Sequence, residues 1–369
     1  MWTTIHQVYL DELERSGGID SWILDYQTLF QDENRILGVK HKSLPRKQSL
    51  KSEADSINSI SNSYSIAFVG QRDFLPVSLR VAFGILRHKR RISDKVVLHR
   101  VEYVPIVKLV SPKSLIVLVI HTNHRSMLEN GSDSKWRFFA RVFTFVEFLG
   151  LKYSDKVFSY SIVDAKRIRA KAKSFEVLRQ SFSGQFFYPN SSIELSNQIL
   201  WIGRFEITKD PILALRVFKI FRTYHPDYRL VMVGDGSLRA NIQDFCNNND
   251  LSDSVTILNS INRGALGDLM RSSKALLHTS RFEGAPRILL EAAACGLPFV
   301  TNERADPEQI HLLSSSFYCV KGLEPEEYYK YLEQCILHKI HIAPVMDNLK
   351  TDALLIEFNQ KISRLGELR

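Results

Sequence analysis

The chain has 369 residues, of which 44% are hydrophobic and 24% charged, and its formal net charge is +9. This composition excludes a wholly disordered chain, and the length exceeds what one small core organises, so two domains are expected. The longest uninterrupted apolar run, Leu115 to Ile120, falls far short of the roughly 20 residues that span a bilayer.

In chain order, short apolar runs predict strands over 3–8, 65–69, 96–101, 115–120 and 156–160, with helices over 19–30, 77–86, 136–149 and 163–172. Residues 40–63, rich in Ser and Lys and poor in large apolar side chains, read as a mobile loop. The stretch Pro189-Asn190-Ser191-Ser192 reads as a domain linker. Beyond it the punctuation sharpens. Strands are predicted over 199–203, 229–233, 255–258, 275–278 and 298–301, alternating with helices over 211–224, from 237 to Cys246, over 264–271 and over 287–295. Such alternation argues for a doubly wound parallel sheet. Closing helices are expected over 328–338 and 346–368. The expected domains are 1–190, 191–345, and a terminal helix over 346–369 that packs back on the first domain.

Asp11, Glu12 and Glu14 stand where a secretory signal has a basic start and an apolar stretch, so a cytoplasmic location is expected. The four cysteines, Cys246, Cys295, Cys319 and Cys335, show no metal-ligand spacing and read as reduced, mostly buried thiols. Charge is uneven. Residues 1–190 hold 29 Lys and Arg against 18 Asp and Glu, out of 49 and 40 in the whole chain, which leaves 20 against 22 for the remainder. A basic first half beside a near-neutral second predicts an anionic partner for the first. Arg87, Lys89, Arg90 and Arg91 concentrate that charge. They read either as a solvated helix end or as a contact with anionic lipid headgroups.

Ligands of open parallel sheets bind beyond the carboxyl ends of the strands. After residues 199–203 comes Arg204-Phe205-Glu206-Ile207-Thr208-Lys209, with two cations five residues apart. Arg204 suits a forked contact to phosphate oxygens, and Lys209 adds a point charge. Further on, Pro286 suits the first position of a helix whose free amides form an anion site for a diphosphate. Ala292 to Cys295 are small enough for close packing on the sheet, and Gly296 and Pro298 stop the helix. Glu283 precedes this helix and Glu291 lies inside it, so two carboxylates can reach one ligand, and carboxylates suit sugar hydroxyls.

The spacing from Glu283 to Glu291, followed by Ala-Ala-Ala-Cys-Gly-Leu-Pro, resembles the hallmark of the retaining GT-B glycosyltransferases of family four, the glycosyl transferases group 1 type. The run from Gly203 to Lys209 and the turn Val233-Gly234-Asp235-Gly236 are similar to that family's donor domain in order and spacing. The resemblance implies an α/β fold with two Rossmann-like doubly wound domains facing across a cleft. It implies that Arg204 and Lys209 hold the donor diphosphate, that Glu291 binds the ribose and that Glu283 contacts the transferred sugar as a catalytic residue. It further implies that the backbone at Gly284, Ala285, Arg287 and Ile288 lines the donor. Ser16-Gly17-Gly18-Ile19 is similar to the family's glycine loop, which makes Gly17 and Gly18 donor-binding; a plain turn is the alternative. His121 resembles the family's strand-end catalytic histidine, with His124 as its rival.

The function implied is transfer of a sugar, with retention, from a nucleotide sugar such as a UDP- or GDP-sugar to a saccharide or lipid-linked acceptor. The setting expected is cell-surface polysaccharide or glycolipid synthesis at the inner face of the membrane. No cofactor is expected. No metal is expected either, because the sequence has no Asp-x-Asp. A Rossmann dehydrogenase is disfavoured, since Gly-x-Gly-x-x-Gly is missing. A nucleic-acid binder would leave the donor motifs idle and shows no recognition motif, so no nucleic-acid partner is expected. A catalytically inactive binding subunit is the remaining alternative.

Overall fold

The computed structural model describes residues 1–9, 18–30, 32–41, 63–69, 77–121, 140–162, 164–283, 286–307, 309–313, 315–337 and 349–367. The described parts of 1–121, 140–178 and 355–367 form one compact unit, and those of 179–354 form the other. The second unit starts ahead of the linker expected at 189–192, because Phe182 and Phe187 are already buried against Leu200, Leu276 and Met270 of that unit.

The first unit is built on a seven-stranded sheet: β1 (Trp2–Tyr9), β2 (Asn34–His41), β3 (Ser63–Val69), β4 (Lys95–Leu98), β5 (Leu115–Ile120), β6 (Lys156–Ser159) and β7 (Phe175–Val177), in the order β3-β2-β1-β4-β5-β6-β7. Every pairing is parallel. All six residues of β5 are buried, which is why this strand reads as an unbroken apolar run. Around the sheet lie α1 (Gly18–Leu29), α2 (Val77–Arg87), α3 (Val104–Val110), α4 (Ala140–Tyr153), α5 (Ala165–Arg169) and the terminal helix α11 (Thr351–Glu367). Phe358 of α11 is buried edge-on against Trp22, Tyr26 and Phe158, and Tyr26 donates a hydrogen bond to Asn359 at 2.7 Å. These contacts tie the last helix to the first.

The second unit has a six-stranded parallel sheet made of β8 (Gln198–Ile202), β9 (Arg229–Val233), β10 (Val255–Leu258), β11 (Ala275–Leu277), β12 (Phe299–Asn302) and β13 (Phe317–Val320), ordered β10-β9-β8-β11-β12-β13. Helices α6 (Pro211–Tyr224), α7 (Arg239–Asn247), α8 (Arg263–Ser272), α9 (Arg287–Cys295) and α10 (Pro325–Leu337) cover it. Alternation along the strands feeds two cores. Ile199, Trp201, Leu230 and Met232 face Phe218 and Phe221, while Leu200, Val231 and Val233 face Leu289 and Leu290. Both sheets reverse their order next to the first strand of the unit, between β1 and β4 and between β8 and β11. That reversal is the ligand-binding switch point of doubly wound sheets.

Several sequence expectations need correction. Strand β2 was not predicted, because Gly38 and the flanking Arg35 and Lys40 break its apolar pattern, leaving Ile36 and Leu37 as fully buried side chains. The predicted loop over 40–63 gives Lys40 and His41 to β2 and Ser63 to β3, and its remaining residues lie outside those described. The strand expected over 96–101 stops at Leu98. Val101–Tyr103 is a 3-10 turn leading into α3, a helix absent from the sequence expectations. Pro105 sits in the first turn of α3, where its missing N–H costs nothing, and burial of Val104 and Val107 overrides propensity. The helix expected over 163–172 shrinks to Ala165–Arg169. The edge strands β7 and β13 are short and half-buried in part, which leaves little periodic signal. All four cysteines are free, and burial pushes the Cys246 thiol up to about 11 and that of Cys295 to about 12.

Candidate active site

The carboxyl end of β8 is organised by two loops that zip together. The amide of Gly203 donates to the carbonyl of Val233 at 3.1 Å, that of Phe205 to Asp235 at 2.8 Å, and that of Leu238 to Phe205 at 2.8 Å. The contact demands glycine. Gly234 and Gly236 have φ of +152° and +154°, and a Cβ on Gly234 would lie 1.9 Å from the carbonyl oxygen of Gly203. The turn therefore fixes the backbone that carries Arg204 and Lys209. The Arg204 side chain is 70% exposed and ion-paired with Glu206 at 2.6 Å. It stands at the rim.

Lys209 points inward. It precedes Asp210, a left-handed residue (φ 46°) whose side chain caps α6 by accepting from the Leu213 amide at 3.2 Å. The Lys209 ammonium donates to the carboxylate of Glu283 in a short ion pair. Glu283 also accepts from the Ser280 hydroxyl at 2.7 Å and lies 3.5 Å from Nε2 of His278. The ring of His278 is held from its other side by Thr301, with Nδ1 2.9 Å from the hydroxyl. Burial opposes ionisation of Glu283, but Lys209 and His278 outweigh it and hold this carboxyl well below the ordinary carboxylate range. The result is an ionised carboxylate and a captured ammonium at the strand ends next to the switch point.

Around this pair the polar groups are closely matched. Trp201 Nε1 donates to the Thr279 hydroxyl at 2.9 Å, and that hydroxyl donates to the Asp210 carbonyl at 2.8 Å. Asn302 Nδ2 is 2.8 Å from the Ser280 carbonyl and 2.8 Å from the Tyr328 hydroxyl. These bonds lock the segment from His278 to Ser280 in place.

Helix α9 begins after Pro286, which occupies the N-cap and not the expected first helical position. The difference is one residue, within the ordinary uncertainty of a helix boundary. The helix directs the amides of Arg287 and Ile288 toward that end. Glu291 is buried and ion-paired one turn back with Arg287, at 3.0 Å. Ala292 to Cys295 are buried, and Gly296 ends the helix with φ +74°. Gly284 and Ala285 lie outside the described residues. Among the described residues, no group of three or more His, Cys, Asp or Glu side chains could hold a metal ion.

In the first unit, His121 follows β5 as expected, and a second histidine joins it. Nδ1 of His99, just beyond β4, lies 2.8 Å from Nε2 of His121. Trp22 of α1 meets both rings edge-on, at 5.0 Å and 5.8 Å between centroids, and Tyr160 lies 5.2 Å from His121. One proton is shared between the facing nitrogens, so His99 decides whether the far nitrogen of His121 offers a donor or an acceptor. Gly18 opens α1. Gly17 and His124 lie outside the described residues. Arg87 ends α2 and Lys89–Arg91 form a 3-10 turn, all four cations being exposed.

Sequence reasoning missed His99, His278, Ser280 and Thr301. The signal that finds His99 and His278 is position, the first residue beyond a buried parallel strand, which holds for Leu98-His99 and Leu277-His278 alike.

Two parallel-sheet units of these strand orders have the GT-B fold, and solved structures bear the fold out. Sucrose-phosphate synthase from Thermosynechococcus elongatus matches with a TM-score of 0.77 at 13% identity, over 100% of this chain and 99% of that one. HepE of Anabaena, in complex with UDP and glucose, matches with a TM-score of 0.72 at 14% identity, over 99% of this chain and 100% of the other. Residues 186–341 match the family model described as glycosyl transferases group 1. In sequence, the chain is 27% identical over 183 residues to GalNAc-alpha-(1->4)-GalNAc-alpha-(1->3)-diNAcBac-PP-undecaprenol alpha-1,4-N-acetyl-D-galactosaminyltransferase of Campylobacter jejuni, covering 49% of this chain and 46% of that one. The matched stretches span less than half the length of the first curated relatives. Within its second unit the chain is thus similar to the group 1 glycosyltransferases.

Proposed function

We propose that the chain transfers a sugar from a nucleoside-diphosphate sugar, such as a UDP- or GDP-sugar, to a saccharide or lipid-linked acceptor in polysaccharide or glycolipid synthesis. The observation that carries this reading is the Lys209–Glu283 pair, locked by Ser280 and His278 at the strand ends of the domain that matches the family. Its chemistry suits such a donor. Lys209, Arg204 and the amides opening α9 would stabilise charge on the departing diphosphate. Glu283, ionised at neutral pH, would accept from hydroxyls of the transferred sugar, and Glu291 from the ribose. In a retaining transfer the bond from the anomeric carbon to the phosphate oxygen breaks. The acceptor oxygen then bonds to that carbon on the same face, and its proton passes to the phosphate. His121 would contact the sugar or acceptor. Neither cofactor nor metal has a part in this scheme. HepE in complex with UDP and glucose and a relative named for an undecaprenol-linked acceptor support the donor and acceptor classes.

The exposed cations at Arg87, Lys89, Arg90 and Arg91 support a working place at the anionic inner face of the plasma membrane. No helix among the described residues is long and apolar enough to cross it. The test is a thermal-shift screen of nucleotide sugars and free nucleotides, followed by donor hydrolysis without acceptor. A ligand that binds only the folded state raises the melting temperature. No shift with any nucleotide would overturn the reading, and binding without turnover would identify an inactive subunit.

A further inference from the structure

Helices α2, α3 and α4 of the first unit are apolar on both sides. The inward side of α2 buries Val81 and Ile85, and that of α4 buries Phe143 and Leu151. Outward, α2 exposes Leu79, Phe83 and Leu86, spaced four and three residues apart and so forming one stripe, with Phe83 61% exposed. Helix α4 does the same with Val142, Phe145 and Phe148, and Phe145 is also 61% exposed. Helix α3 lies packed between the other two and carries Leu109, 75% exposed. A surface helix ordinarily turns polar residues outward. Three neighbours breaking that rule together form a patch of the kind that marks a binding surface.

On these helices and the turn at Lys89–Arg91 the exposed charges have one sign. Arg87, Lys89, Arg90 and Arg91 flank it at the end of α2, and Arg141 and Lys152 are exposed on α4. Lys152 lies over the Phe148 ring at 5.7 Å. Among the described residues of these helices and the turn at Lys89–Arg91, the single acid is Glu147, buried and paired with Arg167. Exposed aromatic and aliphatic side chains flanked by exposed cations fit an interface that is anionic at its surface and apolar beneath it.

We propose that the outward faces of α2, α3 and α4 form a docking surface for an anionic lipid bilayer, with the cations on the headgroups and the Phe and Leu side chains in the acyl boundary. This deepens the membrane reading above and is independent of sugar transfer. The test uses co-sedimentation with vesicles of phosphatidylglycerol and phosphatidylcholine against phosphatidylcholine alone, with duplex DNA and RNA as competitors. Replacing Arg87, Lys89, Arg90 and Arg91 by Ser should lower partition onto the anionic vesicles by about a hundredfold or more. The pair Phe83→Ser and Phe145→Ser should bind at about 0.1 M salt yet be released at about 1 M, where the Debye length falls to about 3 Å and wild type stays partly bound. Phe145→Trp should gain a blue-shifted emission on anionic vesicles that brominated lipid quenches. All these side chains are exposed, so the variants keep the fold, and the nucleotide-sugar thermal shift on the same preparations reports separately on the donor site. An unmoved Phe145→Trp emission, equal binding to both vesicle types, preference for nucleic acid, or a concentration-dependent dimer abolished by the Phe changes would each overturn the proposal.

Discussion

The ion pair between Lys209 and Glu283 makes a prediction that does not depend on knowing the substrate. Its side chains are 25% and 15% exposed, which sets it between a surface pair, worth about 0–1 kcal/mol, and a fully buried one, whose breaking costs about 3–5 kcal/mol. Lys209→Met leaves the Glu283 carboxylate with Ser280 and His278 alone and should cost about 2 kcal/mol of unfolding free energy. Glu283→Gln should cost less, about 1 kcal/mol, because the long Lys209 stem can swing its ammonium to water. The double variant should then fall short of additivity by about 1 kcal/mol. The pH dependence has a definite sign. Glu283 is held below its unfolded pKa of about 4.3, so the unfolded chain binds more protons between the two values. The stability difference between wild type and Glu283→Gln should therefore be flat above about pH 5 and shrink as pH falls below about 4. Urea unfolding of the four proteins from pH 3 to pH 8, about one pH unit apart, measures both quantities. Additivity within about 0.3 kcal/mol, or a difference that does not change with pH, would refute the coupling.

Other outcomes test the proposed donor chemistry and its scaffold. Arg204→Ala and Lys209→Ala should each lower kcat/KM by about 2–4 kcal/mol, or about 30- to 1000-fold, and near wild-type turnover in either would remove it from the donor site. Transfer should proceed in excess EDTA; activity abolished by chelator and restored by manganese or magnesium would reveal a metal requirement. Gly234→Ala sets a Cβ at a φ of +152° against the Gly203 carbonyl and should cost about 1–3 kcal/mol together with weaker nucleotide binding, whereas an unchanged melting temperature would show that the two loops are not locked.

The second unit was legible because its elements obey two periods cleanly. Ile199 to Ile202 and Leu230 to Val233 alternate between two buried cores, and Leu213, Val217, Phe218 and Phe221 line one side of α6. Glycine and proline at 234, 236, 286 and 296 then punctuate the chain where the backbone turns. The first unit lacks such punctuation. Its strand β2 was lost at Gly38, and α3 drew no expectation because Val and Ile dominate a helix whose burial, not its propensity, holds it.

These errors propagated unequally to the site, and the reason is geometric. In a parallel sheet the side chains that meet a ligand are the first ones past each strand, so a strand end misjudged by a few residues hides one of them. Gly203 was placed within a residue of the observed end of β8, and the cations beyond it were read as phosphate ligands. In β4 the apolar residue Val101 drew the predicted strand past its end at Leu98, and His99 was read as part of the strand and not as the first residue beyond it. His121 thus looked solitary. With His99 beside it at 2.8 Å, its proton becomes a property of the pair, because the facing nitrogens cannot both carry one. His99→Gln retains a side-chain amide near that distance, and His99→Phe retains only the ring. A change in the pH profile of transfer with the second variant but not the first would mark His99 as a positioning residue for His121, whereas equal effects from both would assign it to packing against Trp22.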